Sequence, residues 1–174
     1  MLVNLSDVFT SEGRQISMEV PLEMTSFESR MGCFEIEEKT PVSFAFSNIE
    51  TGKARVKGSV KMRLKTSCDR CLADVSTVLD IQFERVVTSP EVSGEDDIAD
   101  DLSFMEGYQL NAETFVYNEI IGNWPVKILC KEDCKGLCPV CGQNRNERDC
   151  GCDTFVPDPR MAVIQDIFNA NKEV

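Results

Sequence analysis

The stretch KARVKGSVKMRLKTSCDRC, residues 53–71, decides the reading of the first half of the chain. Its even positions Ala54, Val56, Gly58, Val60, Met62 and Leu64 are apolar or small. Its odd positions Lys53, Arg55, Lys57, Lys61, Arg63 and Lys65 are basic, interrupted only by Ser59. A period of two sends successive side chains to opposite faces of a strand, so one face packs on a core and the other is a row of cations. The pattern predicts a strand over residues 54–66. Glu50, Thr51, Gly52 and Lys53 lead into it, and a glycine free to take positive φ predicts a hairpin back to the apolar run at 42–49.

Working outward, short alternating or β-branched runs predict further strands at 1–5, 15–20, 33–37 and 76–88, with 22–30 a short helix or a loop. Residues 91–106, EVSGEDDIADDLSFME, hold seven acids and no base. Such a run repels itself and buries little, so it reads as a solvated loop, with folding over the basic strand as a second reading. Residues 110–124 predict a helix capped by Asn111 and ended by Pro125, with Phe115, Glu119 and Gly122 beside an apolar set of Val116, Ile120 and Ile121. At the C-terminus, Asp158 and Pro159 open a helix that keeps Met161, Ile164, Ile167 and Phe168 on one face. The expected fold is α+β: a mainly antiparallel β part over 1–90, an acidic loop over 91–106, and a helix, Cys-rich zinc-bound segment and packing helix over 107–174, in one cooperative domain.

With 174 residues, 42% of them hydrophobic, the chain has enough apolar surface for a core. It contains no histidine, which excludes Ser-His-Asp and Cys-His nucleophile pairs and imidazole base catalysis. No carboxylate pair stands out by its spacing, so a non-enzyme is expected. The first residues lack a basic start followed by an apolar run, and no apolar stretch is long enough for a bilayer; a cytoplasmic protein is expected. Net charge is −12, the reverse of a nonspecific nucleic-acid binder. Residues 53–71 nevertheless carry seven cations against Asp69, a net of +6 that leaves −18 on the rest.

Nine cysteines without an export signal point to metal rather than disulfides. Eight come in close pairs: Cys68 with Cys71, Cys130 with Cys134, Cys138 with Cys141, Cys150 with Cys152. A C-x2-C turn lets two thiolates converge on one ion while nearby N–H groups bond to the sulfurs. CPVCG at 138–142, followed closely by Cys150 and Cys152, forms a compact box for one four-thiolate zinc. Cys68, Cys71, Cys130 and Cys134 can supply a second, tying the β part to the C-terminal part and turning binding energy into folding energy. A competing arrangement joins Cys68 and Cys71 to Cys138 and Cys141, and an iron–sulfur cluster also accepts four thiolates. Cys33, unpaired in a strand, reads as a small buried hydrophobe.

The runs GSVKMRLKTSCDRCL (58–72), LCKEDCKGLCPVCGQNRNERDCGC (129–152) and DPRMAVIQDI (158–167) resemble the YceD family, the large ribosomal RNA subunit accumulation proteins. The resemblance implies a cytoplasmic bacterial protein needed for accumulation of large-subunit (23S) ribosomal RNA, with no catalytic activity. It carries the family's cysteines onto Cys68, Cys71, Cys130, Cys134, Cys138 and Cys141. Family members usually carry Leu where Arg145 stands.

Together these readings predict a ribosome-assembly factor with one or two zinc ions. Its partners would be large-subunit ribosomal RNA or a basic large-subunit ribosomal protein, with neither a membrane nor a small-molecule substrate. Arg55, Lys57, Lys61, Arg63, Lys65 and Arg70 are the candidate RNA contacts. They would bind backbone phosphate rather than read bases, because no aromatics interleave with them. An ordinary solvated face on an edge strand is the plainer account of the same cations. Two other functions fit: an acidic escort for a basic ribosomal protein, and a thiol switch in which oxidation of the Cys box ejects zinc.

Overall fold

Alternation of apolar and charged residues carries the chain through most of its strands. The computed structural model describes residues 1–92 and 103–153. In chain order the elements are β1 (Leu2–Asn4), α1 (Ser6–Thr10), β2 (Gln15–Val20), β3 (Ser26–Ser29), β4 (Gly32–Lys39), β5 (Val42–Glu50), β6 (Lys53–Ser67), β7 (Asp74–Thr88), β8 (Met105–Glu106), β9 (Gln109–Asn111) and α2 (Ala112–Gly122). The described residues form two compact units, residues 1–68 with 73–92 and 103–130, and residues 69–72 with 131–153.

In the first unit β6 is central. One of its edges pairs with β7 along the full length, from Lys53 opposite Thr88 to Ser67 opposite Asp74. The other edge is shared: β5 pairs with residues 53–59, and β4 with residues 62–64. β2 extends the sheet beyond β5 and β3 beyond β4, every pairing antiparallel. A separate three-stranded sheet runs β1-β9-β8. The hairpin turn between β5 and β6 is made as expected, with Gly52 at φ 77.

Alternation on β6 sorts its faces. Ala54, Val56, Val60, Met62 and Leu64 are buried, with Thr66 beside them, while Lys57, Lys61, Arg63 and Lys65 are exposed and Lys53 and Arg55 half-buried. The core beneath is strongly aromatic. Phe115 of α2 meets Phe83 and Phe104 edge-on, with centroids 4.8 and 4.9 Å apart, and Phe44 stacks on Phe46; such geometry adds to plain area burial. α2 is capped by Asn111, whose Oδ1 accepts from the Glu113 and Thr114 amides. It buries Phe115, Val116 and Ile120, while Ile121 is exposed.

Glu119 of α2 is only 5% exposed, and its Oε1 accepts from Arg85 Nε at 2.8 Å. A buried carboxylate stripped of its charge partner keeps its desolvation cost. Arg85→Met should therefore cost about 2 kcal/mol in urea unfolding, and the double variant with Glu119→Leu should recover part of it.

The described residues are richer in strand than α+β implies, with two helices against nine strands. Residues 1–5 are not all strand: after Asn4 the chain turns into α1, which buries Val8 and Phe9. Residues 22–30 hold a strand, β3, rather than a helix, because Phe27 packs among Phe34, Tyr117 and Trp124. Cys33 is exposed, not buried: it lies opposite Glu28 on β4, its Sγ 3.8 Å from Glu28 Oε1. The 110–124 helix is shorter than expected, since Leu110 belongs to β9 and the helix ends at Gly122. Of the acidic stretch, 105–106 form β8 and 93–102 lie outside the described residues, as does the C-terminal helix expected from Asp158. No helix among the described residues is long and apolar enough to cross a membrane.

Candidate metal centres and a basic sheet face

Cys138, Cys141, Cys150 and Cys152 come together in the second unit, with their sulfurs all within 4.8 Å of one another. The turn that begins at Cys138 makes this possible. Cys138 N donates to Gln143 O at 2.8 Å and Gly142 N donates back to Cys138 O at 2.9 Å. Gly142 takes φ 75 and Gly151, between the last two ligands, φ 65, both left-handed conformations that cost glycine little. A metal at about 2.3 Å from four tetrahedral sulfurs needs S···S edges of about 3.8 Å, so small side-chain adjustments close the shell.

The turn also favours a negative sulfur. The Cys138 thiol is lowered to about 6, first by the backbone N–H of Cys141, then by that of Val140, against the opposing effect of desolvation, with smaller help from the Cys150 and Cys141 thiols. Cys152 is raised to about 12, because as a thiol it bonds the sulfurs of Cys141 and Cys150 and is partly desolvated among them. A divalent ion among the four sulfurs would favour the thiolate form and remove the opposition between Cys138 and Cys152.

Cys68, Cys71, Cys130 and Cys134 form the second quartet, again with all sulfurs within 4.8 Å. Cys68, Cys71 and Cys134 are buried and Cys130 is exposed. The Cys68 turn repeats the Cys138 turn: Cys68 N donates to Ala73 O at 2.8 Å, and the residue after the second cysteine is left-handed in both, Leu72 at φ 60 and Gly142 at φ 75. At Leu72 that conformation costs about 1 kcal/mol. All nine cysteines are free of disulfides. The quartets are therefore able to hold two metal ions, and the grouping of Cys68 and Cys71 with Cys138 and Cys141 is not the one adopted.

Arg70 works inside this second unit. Its Nη1 donates to Cys134 O at 2.7 Å and its own carbonyl accepts from Leu137 N at 3.0 Å. Gly136 sits against it at φ 73, where an added Cβ would lie 3.0 Å from Arg70 O. One polar residue that sequence reasoning passed over also touches a ligand: Asn146 Nδ2 donates to Cys134 Sγ at 3.3 Å. An asparagine in a loop gives no periodic signal, and only the folded loop carries it to the sulfur.

On the outer face of β6 the cations meet carboxylates. Glu84, opposite Lys57 on β7, takes both Arg55 at 3.2 Å and Lys57 at 3.0 Å; Asp80 takes Lys61 at 3.0 Å; Glu38 of β4 takes Arg63 at 3.4 Å; Glu50 takes Lys53 across the turn. Lys65 is exposed and makes no ion pair among the described residues. The paired side chains are about half exposed, so each pair contributes about 0–1 kcal/mol and exchanges readily with another anion.

A family model described as "Large ribosomal RNA subunit accumulation protein YceD" matches residues 56–168. The chain belongs to the YceD family. The match takes in β7, α2, most of β6 and all eight paired cysteines, and the family's description ties it to accumulation of large-subunit ribosomal RNA. Neither a curated protein nor a solved structure matches this YceD chain. Of its sequence-predicted residues, the eight paired cysteines are gathered into two quartets. Arg55, Lys57, Lys61, Arg63 and Lys65 share the outer face of one strand, whereas Arg70 belongs to the second unit and clasps residues 134–137 there.

Proposed function

We propose that this YceD chain is a non-catalytic, cytoplasmic assembly factor that grips the phosphate backbone of large-subunit ribosomal RNA, with four-thiolate zinc in each cysteine quartet. The observation that carries the reading is the run of Arg55, Lys57, Lys61, Arg63 and Lys65 along one exposed strand face, four of them held only by surface carboxylates. Phosphate displaces such weak partners, and each neutralised phosphate releases condensed counterions. The family's tie to ribosomal RNA supplies the ligand class. Arg70, with one guanidinium nitrogen committed to Cys134 O, is the least available of the candidate contacts.

In-cell crosslinking of the tagged chain, with recovered RNA sequenced, should enrich large-subunit RNA. Replacing Lys57, Lys61 and Arg63 by Glu should lower recovery by about tenfold or more, since three attractive contacts become repulsive beside Glu84 and Asp80. The residues lie on the solvated face, so circular dichroism should be unchanged. Undiminished crosslinking in the variant would overturn the RNA-binding face. Recovery of one small basic protein instead of RNA would favour the escort reading. Elemental analysis of the purified protein should give two zinc per chain; iron with sulfide-linked absorbance would overturn zinc.

A further inference from the structure

The two quartets share a strut. Cys134 of one and Cys138 of the other are the ends of a five-residue segment, held by Arg70 through Cys134 O and Leu137 N. The loop of residues 142–149, which joins Cys141 to Cys150, folds back onto this strut. Leu137 bridges Asn144, Arg145 N donates to Gly136 O at 2.9 Å, and Asn146 reaches Cys134. Asn146 is held on both sides: its Oδ1 accepts from Lys135 N at 2.9 Å, and its Nδ2 donates to Asn144 Oδ1 at 2.9 Å as well as to the Cys134 sulfur. Asn144 in turn donates to Glu147 Oε1 and accepts from Asn146 N. The loop whose two ends are ligands of one quartet thus delivers an N–H to a ligand of the other.

We propose that Asn146 is a positioning residue that couples the two metal quartets. Metal held by Cys138, Cys141, Cys150 and Cys152 closes the loop ends and orders Asn146, and the ordered amide stabilises Cys134 as a thiolate ligand. Partners that hydrogen-bond a ligand from outside the coordination shell commonly change metal affinity by about 10–100-fold. Coupling of this kind is reciprocal, so metal at Cys134 also tightens the box. The inference rests on the four-thiolate metal reading.

The test is a cycle in the full-length protein, with zinc affinity at each quartet read by competition with a chromophoric chelator. Cys152→Ser, which disables the box, should weaken zinc at the Cys134 quartet by about tenfold. Asn146→Ala should do the same, and the double variant should be no weaker than either single one, because both remove the same contact. Asn146→Asp keeps an acceptor for Lys135 N while removing the donor to sulfur; it should fall at least as far as Asn146→Ala. Affinity at the Cys134 quartet within twofold of wild type in Asn146→Ala, or a full further tenfold loss in the double variant, overturns the proposal. A second measurement needs no variant: in the cadmium-113-loaded, nitrogen-15-labelled wild type, the Asn146 side-chain amide should shift when the Cys134 quartet is filled. An unmoved resonance also overturns it. Two ions bound independently refute the coupling alone, whereas a wild-type chain that takes up no metal refutes the metal reading with it.

Discussion

Gly58→Ala should cost about 3–5 kcal/mol, a large part of the 5–15 kcal/mol that holds a typical domain, and should appear as a collapse of the urea midpoint. Gly58 sits in the middle of β6, where glycine is normally a weak choice. A Cβ at this position would lie 1.9 Å from the Ser43 carbonyl oxygen and 2.6 Å from Phe83 Cζ. The carbonyl belongs to the backbone of β5 and cannot rotate away. Ser43 also fixes the approach of the two strands, its hydroxyl accepting from Ser59 N at 3.2 Å. Phe83 cannot swing aside without disturbing Phe44 and Phe115, which it touches at 5.5 and 4.8 Å between centroids. Gly13→Ala is the control: it has φ 67 but nothing within 4 Å of an added Cβ, so only backbone strain of about 1 kcal/mol is expected. A Gly58→Ala midpoint no lower than that of Gly13→Ala would show that β5 and β6 can separate at no cost.

Gly58 also marks where legibility ended. Period-two alternation showed it on the core face of β6, but the need for hydrogen rather than methyl arises from Ser43, fifteen residues earlier, and no local pattern encodes that approach. The same divide runs through the rest of the chain. β2, β5, β6 and β7 were legible because their alternation is long enough to outweigh local exceptions. β3 was not, since four residues with one aromatic become a strand only when Phe27 has Phe34, Tyr117 and Trp124 to pack on. α1 was hidden for a similar reason, a five-residue helix justified by the burial of Val8 and Phe9.

At the sites, spacing was enough to pair the cysteines, because ligands that are close in sequence converge through turns alone. The partners of the basic row were out of reach. Asp80 faces Lys61, and Glu84 faces Lys57, only once the β6–β7 register is set by the Ser67 and Asp74 pairing at the closed end of the hairpin. The charge excess that the sequence assigns to residues 53–71 is thus largely balanced on the folded face, so the RNA binding proposed there would be an exchange of anions rather than the filling of an empty cationic groove.

Removing metal should separate the two units by their dependence on it. The first unit owns the hydrophobic core, from Phe44 and Phe83 on the sheet to Phe115 and Ile120 on α2. Between 131 and 153 the only buried residues are Cys134, Gly136 and Cys138, and the only strand pairing is the isolated Leu137 to Asn144 bridge. A segment with so little apolar burial cannot offset the entropy of ordering its backbone, about 1–2 kcal/mol per residue. Four-thiolate zinc, worth about 10–16 kcal/mol in small peptides, can. Chelation should therefore raise exchange of the Leu137, Cys138, Gly142 and Arg145 amides by at least about a hundredfold. Amides between β6 and β7, paired over fifteen residues, should keep most of their protection. Unchanged exchange at 137–145, with metal loss verified by elemental analysis, would mean that the hydrogen bonds of the Cys138 turn and the 142–149 loop alone hold the segment. Simultaneous loss in β6 and β7 would mean that metal energy is needed by the sheet itself.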